Sequence, residues 1–239
     1  WMHFGLDDDL DTFALGVLHD TGKILNAVCY PDVLPLIMSE IESSEWTDLL
    51  EAERTVVGEL EHPASGGALL ERWELFPEFV EPLSGHHRIE ETTSAVTLLV
   101  ALANGLAKTR FPFPHTIKKS NTETRQASDT GENPIYASLA TSFTETRQAL
   151  ELSPNERETG ILAPENVEVV LAASHHVAKE QKQGVEAFFN GLALQTPEFP
   201  LVLERLELSP HDLCALMLVL DDFLGELTQG LLHGVRLRN

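Results

Sequence analysis

The chain has 239 residues, 43% of them hydrophobic, and carries 38 acidic against 16 basic side chains for a net charge of −22. That length can bury a substantial core, and no apolar run approaches the roughly 20 residues that span a bilayer. A nucleic-acid binder presents a basic face, yet no Lys/Arg cluster beyond Lys118-Lys119 occurs, so binding to a phosphate backbone is not expected unless a metal supplies positive charge.

Helical periodicity dominates from the first residues. The chain opens on Trp1 rather than Met, and its true N-terminus is expected to be missing. Asp7–Asp9 offers caps for a helix through LDTFALGVLHD, with Leu10, Phe13, Ala14, Val17 and Leu18 at three-four spacing. Gly22 marks either a break or a close helix contact. Pro31 and Pro35 open a helix over DVLPLIMSEIES, and Trp46 to Leu60 reads as the next, with Leu49, Leu50, Ala52, Val56 and Val57 apolar. His62-Pro63 starts a fourth helix through LLERW, since proline fits a first helical turn. Phe76-Pro77 starts a fifth, ending near His86-His87, and Thr92–Lys108 forms a long apolar sixth. No alternating strand pattern is visible, so the first 110 residues are expected to be all-α.

Residues 111–134 are polar and rich in turn formers, and read as a mobile surface segment. Helices resume near Tyr136. Ser153-Pro154 and Ser209-Pro210 each read as an N-cap followed by proline at the first helical position. Both stand in the string LELSP, and TETRQA also occurs twice, but the flanks of neither pair match, so no structural repeat is inferred. The last helix, HDLCALMLVLDDFLGELTQGLL, carries a strong apolar stripe. The expected organisation is a helical core over 1–110, the polar segment, and a helical region over 135–239 packing on the core. Cys29 and Cys214 stand singly in apolar surroundings and are expected to be buried free thiols in a reducing cytoplasm.

Five candidate metal ligands occur in the helical first half: His19, Asp20, His62, His86 and His87, each at an expected helix end. Imidazole and carboxylate suit Fe, Mn or Zn. Any one of these side chains has a dull explanation as a cap or a satisfied half-buried group. The three groups in order, with Lys23 three residues after Asp20, are harder to explain that way.

On these residues the sequence resembles a known family. HDTGK resembles the signature of the HD superfamily of metal-dependent phosphohydrolases. EHPASGGALLERWELFPEFVEPLSGHH resembles the HDOD branch, with its His-x-x-x-Gly helix start, LL-x-x-W-x-L segment leading to Pro-Glu, and closing His-His pair. The resemblance covers about Asp9–Lys108 and, faintly, Leu203–Leu227. It implies an HD-type helical bundle with an additional C-terminal helical region. It also implies that His19 and Asp20 are the HD pair, with Asp20 able to bridge two metals, and that His62, His86 and His87 match the further ligands of the dinuclear HD-GYP relatives. Lys23 matches their substrate-phosphate lysine, so Asp20 and Lys23 are the residues expected to carry any catalysis. Trp1-Met2-His3 resembles a Trp-x-His that supplies a first ligand, although only 15 residues separate it from His19.

Departures from the family pattern bear on activity. Arg88-Ile89-Glu90 follows the His-His pair, no Gly-Tyr-Pro occurs, and Ala103-Asn104 stands where an Ala-Asp ligand pair is usual. An amide does not help to neutralise a dication as a carboxylate does. Two readings therefore stay open. One is a bacterial-type, cytoplasmic HDOD signal-transduction or output module, an interaction domain with protein partners and a remnant divalent-metal site. The other is a metal-dependent phosphohydrolase acting on a phosphoester such as a cyclic dinucleotide or nucleotide. The departures favour the first.

The remaining candidates have simpler explanations. His211-Asp212 follows Ser209-Pro210 and reads as a capped first turn. His175-His176 reads as structural, His115 and His233 are assigned nothing, Asp7–Asp9 lacks the glycine and distal glutamate of a calcium loop, and adjacent Asp221-Asp222 do not share a helix face.

Overall fold

The computed structural model describes residues 11–43, 49–92, 94–110, 134–149, 167–196 and 198–220. Among them every regular element is helical and there is no strand, so the fold is all-α. The chain divides into two compact units, Trp1–Ser120 with Asn190–Glu207, and Asn121–Phe189 with Leu208–Asn239. The expected polar segment lies, except for Pro134, outside the described residues. So do Trp1-Met2-His3, the first LELSP and TETRQA copies, His115, Asp221-Asp222 and His233.

In the first unit, helix α1 runs over Thr12–Leu18, α2 over Thr21–Cys29, α3 over Val33–Ser43 and α4 over Leu49–Val57, followed by a 3₁₀ turn at Gly58–Leu60. Helices α5 (His62–Arg72), α6 (Pro77–Gly85) and α7 (Ala95–Arg110) complete the consecutive part. Leu15, Leu70, Val80, Leu83 and Val100 form its main core, with Leu18, Leu75, Phe79 and Val96 packed around them. A fully buried leucine contributes about 1.5–3 kcal/mol relative to exposure, so α1, α5, α6 and α7 are held as a group by this cluster. A second cluster of Ile37, Ile41 and Ala52 joins α3 to α4. The short helix α11 (Phe199–Arg205) also belongs to this unit and packs on α7.

Two local expectations are corrected. The helix expected to run through LDTFALGVLHD starts at Thr12 and stops at Leu18, and its cap is Asp11, whose Oδ1 accepts from the Ala14 N–H at 2.9 Å. Asp7–Asp9 lies outside the described residues. Cys29, expected to be buried, is exposed. It ends α2 beside a solvent-facing stripe that includes Ile24 and Val28, at 66% and 74% exposure, so the apolar neighbours that suggest burial are themselves outside the core. Cys214 is buried as expected, and desolvation pushes its thiol up to about 11.

The second unit contains α8 (Pro134–Ala149), α9 (Val167–Glu180), the first part of α10 (Lys182–Gln195), and α12 (Pro210–Leu220). Leu139, Phe143, Val169, Ala173, Val177, Leu213 and Met217 are buried there. Among the described residues no single helix is long and apolar enough to cross a membrane.

Candidate metal centre

Each residue of the string HDTGK has a distinct place. His19 closes α1, and Asp20 stands before α2 with φ −105° and ψ 13°, so the pair occupies the joint between two helices. The Thr21 hydroxyl donates to the Leu18 carbonyl at 2.7 Å, satisfying an acceptor left open where α1 stops. Gly22 is the point of closest approach between α2 and α5. A Cβ there would lie 1.8 Å from the His62 carbonyl oxygen and 2.8 Å from the Gly66 nitrogen. The glycine therefore lets the two backbones touch, and that crossing carries Asp20 and Lys23 up to His62. Asn26 fixes the same approach by donating to the Leu60 carbonyl at 2.8 Å. Lys23 donates to Asp20 Oδ2 at 2.7 Å. Of the two expectations for Gly22, the close contact is the one realised.

The helix that begins at His62 is positioned from α4. Glu53 Oε2 accepts from the His62 backbone N–H at 3.0 Å and from its Nδ1 at 2.6 Å. The preceding residue, buried Glu61, pairs with Arg54 and accepts from Arg88 Nη2 at 3.0 Å. Burial opposes ionisation of Glu61, but the hydrogen bonds from the two guanidinium groups outweigh it and lower its pKa. Arg88, one of the departures from the family pattern, is thus engaged with Glu61.

The four histidines share one arrangement. His19 Nδ1 lies 2.7 Å from the Gly16 carbonyl, His86 Nδ1 lies 2.7 Å from the Leu83 carbonyl, and His87 Nδ1 lies 2.5 Å from Glu198 Oε1. With His62 on Glu53, every Nδ1 faces a group that accepts. Each Nδ1 therefore carries the proton and each Nε2 keeps its lone pair, the tautomer that coordinates metal through Nε2. These lone pairs converge. The ligand atoms of His62, His86 and His87 lie within 4.8 Å of one another. Asp20 Oδ1 is 3.4 Å from His62 Nε2, and its Oδ2 is 3.3 Å from His19 Nε2. The carboxylate therefore stands between His19 and the histidine trio. His19 and His86 rings are 5.5 Å apart. Asn104 is buried with Nδ2 3.4 Å from His87 Nε2.

Electrostatics keep His62, His86 and Asp20 in ligating form. Burial drives the His62 and His86 imidazoles toward neutrality, His86 furthest, with His87 and His62 adding to the effect on it. Burial opposes ionisation of Asp20, but Lys23, His19 and His62 outweigh it and hold its carboxyl well below the usual range. The decisive observation is what remains unsatisfied. His19 Nε2, Asp20 Oδ1, His62 Nε2 and His86 Nε2 are all buried without a hydrogen-bond partner. Such atoms cost about 1–3 kcal/mol each if left so, and a divalent cation is the partner that accepts lone pairs from all of them. The residues present fit a metal.

All five candidate ligands thus come together. His175 and His211 do not join them; they pack ring to ring at 5.3 Å in the second unit. Residue-by-residue reading of the sequence misses Glu53 and Glu198. Glu53 leaves a trace, being an acid on the apolar stripe of Leu49, Leu50, Val56 and Val57. Glu198 leaves none, since 111 residues separate it from His87.

Residues 2–89 match the family model of the HDOD domain, a family related to the HD superfamily. No curated protein and no solved structure matches the chain.

Proposed function

We propose that this chain, whose residues 2–89 match the HDOD family and whose five candidate ligands converge, is a signal-transduction module that retains a divalent metal and acts through protein partners rather than through turnover. The observation that carries this reading is the set of buried, unpartnered Nε2 and carboxylate atoms facing one another at His19, Asp20, His62 and His86. His19, Asp20, His62, His86 and His87 would hold the ion, and their donor types suit Fe, Mn or Zn. A bound ion of this class supplies a Lewis acid and ionises water near neutral pH.

The chain's own residues do less than hydrolysis asks. Asn104 brings an amide, not a carboxylate, to His87 and adds no charge to offset a dication. The Arg88 guanidinium is paired with Glu61. The net charge of −22 opposes a polyanionic substrate everywhere except near Lys23. The exposed Cys29 thiol suits a reducing, cytoplasmic setting.

A second reading, phosphoester hydrolysis, has one observation in its favour. Lys23 and Asp20 side chains are about one-third exposed, so an anionic group can reach them from solvent. Metal analysis of purified wild-type and Asp20→Ala protein, with bis(p-nitrophenyl) phosphate as the hydrolysis probe, separates the readings. We expect wild type to hold iron, manganese or zinc stoichiometrically, the variant to lose it, and neither to cleave the probe. Full metal occupancy in Asp20→Ala would falsify the ligand assignment. Cleavage that disappears in that variant would move the conclusion to the hydrolase.

A further inference from the structure

His87 is held by a residue that lies outside the HDOD match. Helix α11 is docked on α7 through Phe199, which is 1% exposed. Its ring carbons stand 2.5 and 2.7 Å from where a Cβ of residue 105 would be, so only Gly105 lets α11 come this close. At the other end of α11, Arg205 donates to the Thr92 carbonyl and, at 3.1 Å, to the Glu90 carbonyl. These acceptors belong to the chain that leaves His87, so α11 is tied at both of its ends to the segment that follows that residue. Glu198, the N-cap of α11, immediately precedes the Phe199 anchor with only 15% of its side chain exposed, and its Oε1 meets His87 Nδ1 at 2.5 Å.

The contact decides which nitrogen of His87 faces the cluster. On the inner side, Asn104 presents an amide 3.4 Å from His87 Nε2. An amide can turn and offer either its NH₂ or its oxygen, so Asn104 accommodates both tautomers. The carboxylate accommodates one, because it only accepts. We propose that Glu198 is a positioning residue for the metal centre. By accepting the Nδ1 proton it fixes the His87 tautomer whose Nε2 lone pair points inward, and so sets how tightly the histidine cluster holds a divalent ion. This rests on the metal reading above. It makes a segment 111 residues further along the chain part of the site that residues 2–89 begin.

The test uses the full chain with zinc as probe. Zinc affinity is measured for wild type, Glu198→Gln, Glu198→Ala and, as control on the same helix, Glu204→Gln. Ring ¹⁵N NMR reads the His87 tautomer in the metal-free proteins, and thermal melting of the metal-free forms shows which are folded. Loss of an outer hydrogen bond of this kind weakens binding about 10–100-fold. We expect that loss in Glu198→Ala with a mixture of His87 tautomers, a smaller loss in Glu198→Gln, which keeps a neutral acceptor, and none in Glu204→Gln. If Glu198→Ala does not fold, Glu198→Gln decides. Wild-type zinc affinity in the folded Glu198 variants overturns the proposal and leaves the metal reading standing. Weaker binding with an unchanged His87 tautomer also overturns it, since the role would then be structural support only. Wild-type protein that takes up no zinc overturns the metal reading, and this proposal with it.

Discussion

His19-Asp20 in the first unit and His211-Asp212 in the second carry one dipeptide into two backbone settings. The first lies between two helices: His19 commits Nδ1 to the Gly16 carbonyl and Asp20 accepts from Lys23 through Oδ2, and one polar atom of each side chain is left over. His19 Nε2 and Asp20 Oδ1 end buried and without hydrogen bonds. The second lies inside a first turn, after the cap Ser209 and Pro210. There Asp212 Oδ2 accepts the Ser209 N–H at 2.8 Å, the Ser209 hydroxyl accepts the Asp212 N–H at 3.3 Å, and His211 Nε2 donates to the Leu171 carbonyl at 2.9 Å. The difference teaches that coordinating capacity is what local structure leaves over. A helix N-terminus consumes the acid of such a pair, whereas a joint between helices frees it.

The comparison breaks most severely at Gly22, which has no counterpart after His211-Asp212. In Gly22→Ala the new carbon would meet backbone on α5 at 1.8 and 2.8 Å, and neither atom belongs to a flexible side chain. The α2–α5 crossing must open, at a cost of about 3 kcal/mol, and Asp20 leaves His62. We expect a large fall in the urea midpoint together with loss of zinc binding, although no ligand has been changed. Wild-type midpoint and affinity would show that the crossing is not what assembles the site. Glu53→Gln comes next. One buried oxygen now serves two His62 donors, and a glutamine brings its own donor into the same space. About 1–3 kcal/mol should be lost, read as a lower urea midpoint at unchanged slope, with weaker zinc binding. A variant as stable as wild type would mean that His62 N–H and Nδ1 find other acceptors.

Much of this architecture is legible in the amino-acid sequence. The apolar spacing and the Pro-initiated starts at His62-Pro63 and Phe76-Pro77 correspond to α5 and α6, because proline at a first turn leaves a local signature. The ligands are legible because each falls at a helix end and carries an unusual residue type. The break after Leu18 is not, since it depends on the Thr21 hydroxyl reaching back to one carbonyl rather than on a loss of periodicity. Cys29 misleads because periodicity shows that a stripe is apolar, not what covers it. Glu198 has no sequence signal, since its role exists only once Phe199 has found Gly105.

The smallest expected effect isolates the cap from the metal. Asp212→Ala removes the acceptor for the Ser209 N–H and should destabilise the chain by about 1 kcal/mol while leaving zinc binding at the wild-type level. Its pH dependence follows from the fold. The Ser209 hydroxyl hydrogen bond holds the Asp212 carboxyl below its ordinary value of 3.8, with partial burial opposing. A carboxyl lowered on folding stabilises fully above its unfolded value and loses that contribution as the pH falls through its folded value. The gap between wild type and Asp212→Ala should therefore be constant near pH 7 and shrink only below about pH 4. Urea midpoints of both proteins across pH 2.5–7, with zinc titrations at pH 7, measure it. A zinc affinity that falls in Asp212→Ala would join the two His-Asp pairs functionally, and the contrast between a spent acid and a free one would no longer hold.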